Sequence, residues 1–205
     1  ENANSGNGWD PIGLSTNPFT GTFDGGGYTI ADIYVDRTGS SDYNGLFDSV
    51  GNTYIYNLIL DNFELYGRTR EGVLAGQDME TSSTFEKIKI KNSYVEATRS
   101  DGPNYTGNLI GLAENDINIL ETSAINNTLV GANNRLGGLI GQIGEQGTIE
   151  NCYSLDNSID CPDRIGGLCG LIYDSTGKIT IKNSYVSNLT VTSSGVSIGE
   201  IVGYR

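Results

Sequence analysis

The chain has no histidine among its 205 residues. That absence removes the Ser-His-Asp triad, the Cys-His pair, histidine-ligated zinc and the HExxH protease helix in one stroke. No G-x-S-x-G elbow and no phosphate-binding P-loop replaces them. Prolines number 4, and lysine plus arginine only 12 against 25 acidic residues, a formal net charge of −13. So acidic a surface repels polyphosphate and anionic lipid, which argues against nucleic acid and against docking on a membrane. No apolar run reaches the length of a membrane-spanning helix, so no membrane insertion is expected in this segment. Cysteines are scarce: Cys152, Cys161 and Cys169 form an odd set without metal-ligand spacing. They read as buried thiols of a strand-rich core, with Cys152–Cys161 the one pair close enough in sequence to suspect of a bridge.

What the chain does have is Gly, Ile, Val, Thr and Tyr, the composition of β-structure and not of disorder. A Gly-x-x-x-Gly box recurs at Gly72–Gly76 (GVLAG), Gly107–Gly111 (GNLIG), Gly137–Gly141 (GGLIG), Gly166–Gly170 (GGLCG) and Gly199–Gly203 (GEIVG). A degenerate copy runs from Gly45 to Ser49. The first glycines are spaced by 27, 35, 30, 29 and 33 residues. Between these boxes lies a second one, Ile55-Tyr-Asn57, Ile90-Lys-Asn92, Ile149-Glu-Asn151 and Ile181-Lys-Asn183, with Leu120-Glu-Thr122 a weaker member and Ile30-Ala-Asp32 the first.

Each unit is about 30 residues of short β-type runs. In Phe85–Lys91 the isoleucines alternate with lysines, so one face is apolar and the other charged. A propeller blade needs about 40 residues or more, whereas a β-helix coil fits about 30 and tolerates insertions at its corners. The sequence therefore predicts an all-β protein, a right-handed parallel β-helix of six to seven coils with three strands per coil. Residues 1–205 form one domain. The chain starts at Glu1 without Met and stops directly after a repeat box, so a fragment of a longer chain, or a unit capped by another molecule, is expected. Asn57, Asn92, Asn151 and Asn183 are expected to stack as one amide ladder.

The GGLIG and GGLCG boxes, each followed by an Asn-Ser/Cys-Tyr segment, resemble the GLUG-motif repeats. These occur in bacterial and archaeal surface adhesins and in non-catalytic N-terminal regions of immunoglobulin A-cleaving metallopeptidases. Trp9–Gly13 and Pro18–Ile30 are similar to the lead-in that precedes such repeats. The resemblance implies a secreted or cell-surface β-helix that displays or binds and is not an enzyme. It implies no functional residues, because the recurring positions are structural.

Candidate sites are few. Tyr34, Tyr94, Tyr153 and Tyr185 occupy one place in the second box, where Ile59 and Ala124 stand in other copies. Those replacements favour an inward, packing role; the functional reading is a ligand-binding platform of Tyr94, Tyr153 and Tyr185 on which sugar rings stack. No catalytic residue, metal site or cofactor is expected. Asp156, Asp160 and Asp163 beside Arg164 read as a solvated corner; Glu114–Asn118 supplies alternating oxygen donors without the glycine and terminal glutamate of a calcium loop, and Asp24, before three glycines, reads as a turn. Asn-x-Thr sequons stand at Asn104, Asn126 and Asn188.

The leading expectation is an extracellular adhesin-like or structural module, presenting a binding face or acting as a stiff spacer, with a glycan or host surface protein as partner. The alternatives are a carbohydrate-active β-helix enzyme using its carboxylates, and a fibre subunit associating end to end through uncapped coils.

Overall fold

The structure, a computed structural model, describes residues 6–39, 42–80, 82–173, 178–195 and 197–204. It is a parallel β-solenoid of six turns; every strand-to-strand ladder is parallel, and the described residues contain no α-helix. Glu1 and Arg205 lie outside the described residues. A complete coil has five short strand segments and not the three expected. The third coil, for example, runs through Ser83–Lys91, which turns a corner to supply two segments, then Tyr94–Ala97, Tyr105–Gly107 and Ile110–Ala113. Stacked coils in a parallel sheet stand about 4.8 Å apart, so six make a rod on the order of 29 Å. The extra strands arise because two tight corners, five residues apart, break what reads in sequence as one run.

Those corners need left-handed backbone. One column of positive-φ residues is Asn57, Lys87, Glu121, Asn151 and Asn183; the other is Asp32, Asn62, Asn92, Asn126, Asp156 and Asn188. Asn and Asp tolerate this conformation better than other side-chain-bearing residues because their short polar groups bond locally. The single ladder expected from sequence is therefore two. Asn92 stacks over Asn62 and under Asn126, because Asp61 pairs with Lys91 and Ile125 pairs with Lys91 on the other side. Asn151 belongs to the first corner, since Glu150 pairs with Leu120 and with Lys182. The amide bonds run along the second corner: Asn62 Nδ2 donates to Asp32 Oδ1 (2.7 Å), Asn126 to Asn92 (2.9 Å) and Asn188 to Asp156 (2.9 Å).

The repeat glycines are explained by close approach. A Cβ on Gly141 would stand 2.4 Å from the Thr106 nitrogen and 2.5 Å from the Gly111 oxygen; one on Gly137 would stand 1.9 Å from the Ile140 oxygen. Two strand layers thus meet backbone to backbone at each box. In the first copy Phe47 pairs with Ala75 and Ser49 with Gln77, which sets Asp48, and not Ser49, opposite Gly76. The variable repeat length comes from insertions at two corners. Residues 98–104 extend one, and at the other four residues of sequence separate the paired strand residues Asp78 and Ser83 where two separate Val50 and Thr53.

Inward residues recur by column. Val35, Leu65, Val95, Leu129 and Ile159 line one sheet, and Ile55, Phe85, Ile119 and Ile149 another, all with no exposed surface. Ile88 and Ile90 are buried while Lys87 and Lys89 are exposed, as the alternation requires. The three cysteines are free and buried, with Cys152 and Cys169 in the main core cluster and Cys161 in a smaller one. The suspected Cys152–Cys161 bridge is thus corrected: a coil corner separates the two thiols.

Candidate functional site

The tyrosines do not point inward. In each strand the residue after the tyrosine takes the core position: Val35 after Tyr34, Val95 after Tyr94, Ser154 after Tyr153. Tyr34 and Tyr185 are 40% and 52% exposed, and Tyr94 and Tyr153 are half-buried. The packing role inferred from Ile59 and Ala124 fails because the alignment behind it joins two corners. Ala124 sits beside Ile90 and Ser154 in an inner column, whereas Ile59 shares the outer column of Lys89, Ser123, Tyr153 and Tyr185.

The same slip separates the tyrosines into two faces. Tyr153 and Tyr185 are one coil apart, their rings 5.5 Å between centroids and 16° from parallel. Tyr94 lies on a different sheet, built from Tyr34–Asp36, Glu64–Gly67, Tyr94–Ala97, Thr128–Gly131, Ser158–Asp160 and Thr190–Thr192. There it meets Tyr66, a residue outside the sequence motif, at 5.5 Å, and Tyr66 meets Tyr34 at 5.9 Å. The Tyr94 hydroxyl donates to Glu96 Oε2 at 2.7 Å and that of Tyr34 to Asp36 Oδ2 at 3.4 Å. Partial burial, with the Glu96 carboxylate beside it, drives the Tyr94 phenol well above its ordinary range.

A third outer face, also unread in the sequence, pairs tyrosine with arginine. The Arg70 guanidinium stands 4.8 Å from the Tyr43 ring and 5.3 Å from that of Tyr105, and Arg135 stands 4.8 Å from Tyr105. Period-two alternation predicts that these side chains face out, but only the coil register brings them into line.

The acidic residues singled out in sequence disperse. Asp156 occupies a corner and accepts from Asn188, Asp160 ends an outer strand, and Asp163 faces Arg164 at 3.9 Å. Among the described residues no group of three or more Cys, Asp or Glu side chains is placed to hold a metal ion. Three carboxyls, of Asp48, Glu71 and Asp78, are buried instead. Burial pushes Glu71 up to about 8 and Asp78 up to about 7. Glu71 accepts from Asn44 Nδ2 at 2.9 Å and lies against Gly67, where any Cβ would collide with its carboxylate.

The sequons divide as well. Asn104 is buried, its amide donating to the Arg68 and Arg99 carbonyls and its oxygen accepting from the Asn133 N–H. Asn126 and Asn188 are exposed on the second corner.

Comparison with known proteins fits this geometry. Residues 132–159 match the GLUG motif, a stretch that amounts to one coil and contains both Asn151 and Asp156 of the paired corners. The chain is 35% identical to Halomucin of Haloquadratum walsbyi over 125 residues, 60% of this chain and 1% of that protein. It is 43% identical over 56 residues to a protein of Evansella cellulosilytica described as a Gly-rich membrane protein, covering 27% of this chain and 6% of that one. The chain thus spans a small fraction of the length of either relative. No solved structure matches it.

Proposed function

We propose that this chain is a non-catalytic structural module of a cell-surface protein, a stiff solenoid that presents outward side-chain columns for adhesion. The observation that carries the reading is the exposure of tyrosine rings on fixed coil-to-coil spacing above a continuous apolar core. A solenoid holds such columns in line because each coil is bonded to its neighbours over its whole contour. The stacked pair Tyr153–Tyr185 offers flat aromatic area at low entropy cost, the surface on which sugar rings pack. The names of the relatives, a halomucin and a membrane protein, support placement at the cell surface.

The test is a glycan and surface-protein array with the purified chain, alongside an assay for reducing ends released from a polysaccharide panel. A selective hit lost in Tyr153→Ala/Tyr185→Ala, without sugar release, supports the module. Release of reducing ends that survives those substitutions would replace it with a carbohydrate-active enzyme.

A further inference from the structure

The outer face of the sheet carrying Tyr94 alternates aromatic rings with carboxylates in both directions. Along one column Tyr34, Glu64 and Tyr94 are successive register partners; along the next, Asp36, Tyr66 and Glu96 are. Asp160 continues the acidic series two coils further on. None of the six strands contains lysine or arginine. Bases flanking these strands are already engaged: Arg37 with Asp10, Arg68 with Asp42 at 3.6 Å, Lys91 with Asp61 at 2.5 Å, Arg99 with Asp101 at 2.7 Å. Burial, then Glu64, Glu96 and Asp36, raise the Tyr66 phenol above its ordinary range, so its ring stays neutral in a negative field. At one edge a cleft of about 220 Å³ opens between Asp32, Tyr34, Asn62 and Glu64.

The neighbouring sheet shows a completed version of this pattern. There Tyr43, Arg70 and Tyr105 are register partners and the guanidinium lies over both rings. On the Tyr94 face the rings and the acids are present, and the cation is missing. Guanidinium over tyrosine, with a carboxylate beside it, is a favourable pairing on both counts.

We infer that this face docks an extended, arginine- or lysine-bearing segment of a partner protein, laid along the rod axis over Tyr34, Tyr66 and Tyr94. The rings take the cationic heads, and Glu64, Glu96, Asp36 and Asp160 pair with them at one coil step of about 4.8 Å or its multiples. The inference rests on the module displaying binding faces, and it adds the charge class of what one face takes.

A labelled eight-residue peptide alternating Gly and Arg serves as probe, read by fluorescence anisotropy in dilute and in physiological salt. Tyr66→Leu/Tyr94→Leu removes no charge and is expected to weaken binding about tenfold; Glu64→Gln/Glu96→Gln does at least as much. Tyr153→Leu/Tyr185→Leu and the charge-matched Asp116→Asn/Asp156→Asn leave the affinity within about twofold. Should Tyr66→Leu/Tyr94→Leu unfold, Tyr34→Leu alone at the exposed end still weakens binding about threefold. Equal loss from both acid pairs with no loss from the tyrosines would overturn the inference, leaving a general attraction to a polyanion. So would a neutral oligosaccharide competing for the same tyrosines. A glycan hit at Tyr153 and Tyr185 with no peptide binding would overturn this inference while leaving the displaying module intact.

Discussion

Asn157 lies directly above Asn127, and its side-chain oxygen accepts both the Asn127 backbone N–H (2.8 Å) and the Asn127 amide (3.1 Å). Both residues are 1% exposed. The Asn157 amide donates in turn to the Ala124 carbonyl (2.9 Å) and to Ser154 Oγ (2.8 Å), and Asn127 Oδ1 accepts from the Ser93 N–H (2.9 Å). This inner ladder satisfies backbone groups that the turn of the corner strips of their sheet partners. Asn157→Leu strands the Asn127 N–H and the Ser154 hydroxyl without water, and is expected to cost about 2–4 kcal/mol in urea denaturation. Asn188→Leu, on the solvated outer ladder, loses one exposed hydrogen bond and the tolerance of Asn for left-handed backbone, and is expected to cost less, about 1–2 kcal/mol.

Glu71 gives a prediction with a definite sign. Its carboxyl, wholly buried, is raised from 4.5 to about 8, so the folded chain holds that proton where the unfolded chain has released it. Stability from this group is full below pH 4.5 and is lost as pH rises through 8. Asp78, raised to about 7, adds a second loss over the range ending one unit lower. Melting temperature is therefore expected to fall between pH 5 and pH 9. Glu71→Gln keeps the shape and the Asn44 contact without a proton to lose. It should gain ~3 kcal/mol at pH 9 and leave only the Asp78 decline. A variant with the parental pH profile would show that Glu71 is ionised in the folded chain.

Much of the architecture is legible from residue type alone. Two glycines four apart at a 30-residue spacing announce a tight box on each coil, and alternation of Ile with Lys at 87–91 announces which side is core. Register is another matter. Asn92-Ser93-Tyr94-Val95 and Asn183-Ser184-Tyr185-Val186 are identical tetrapeptides, yet one follows the second corner and the other the first. Both corners impose the same demand, left-handed backbone followed by an inward and then an outward residue, so local sequence cannot tell them apart. Only the count of residues to the neighbouring coil decides, and that count places Tyr94 and Tyr185 on different faces. Tyr66 and Arg70 went unread for the same reason: their partners are about 30 residues away and no short motif marks them.

The corners themselves can be tested. Glu121 holds φ +50 in a column where Asn57, Asn151 and Asn183 are the natural occupants. Its ion pair with Lys87, 4.0 Å long and half-exposed, contributes little. Glu121→Asn is expected to raise stability by about 0.5–1 kcal/mol, and Asn151→Val, which puts a branched side chain into the same backbone, to lower it by ~1–2 kcal/mol. Thermal unfolding of the two variants should move in opposite directions.

Thiol chemistry reports on the core without perturbing it. Burial pushes Cys152 up to about 11 and Cys161 and Cys169 up to about 12. The thiolate is the reactive species, so the folded chain at neutral pH should not react with an aromatic disulfide reagent over hours. In guanidinium all three should titrate at once. Rapid labelling of one thiol in the folded chain would mean that its coil opens locally, and mass spectrometry of the labelled peptide would say which.

The sharpest test of the fold is a methyl group. At Gly141 a Cβ meets the Thr106 nitrogen and the Gly111 oxygen, both backbone, so neither a rotamer change nor a small side-chain shift relieves the clash. The two strand layers must separate, and they are continuous with every other coil. Gly141→Ala is expected to cost at least ~3 kcal/mol. Gly39, with open space around the same added atom and no positive φ, supplies the control: Gly39→Ala should be neutral within about 0.5 kcal/mol. If both variants melted with the parent, the layers would not be in backbone contact, and the glycine box would need another explanation than close approach.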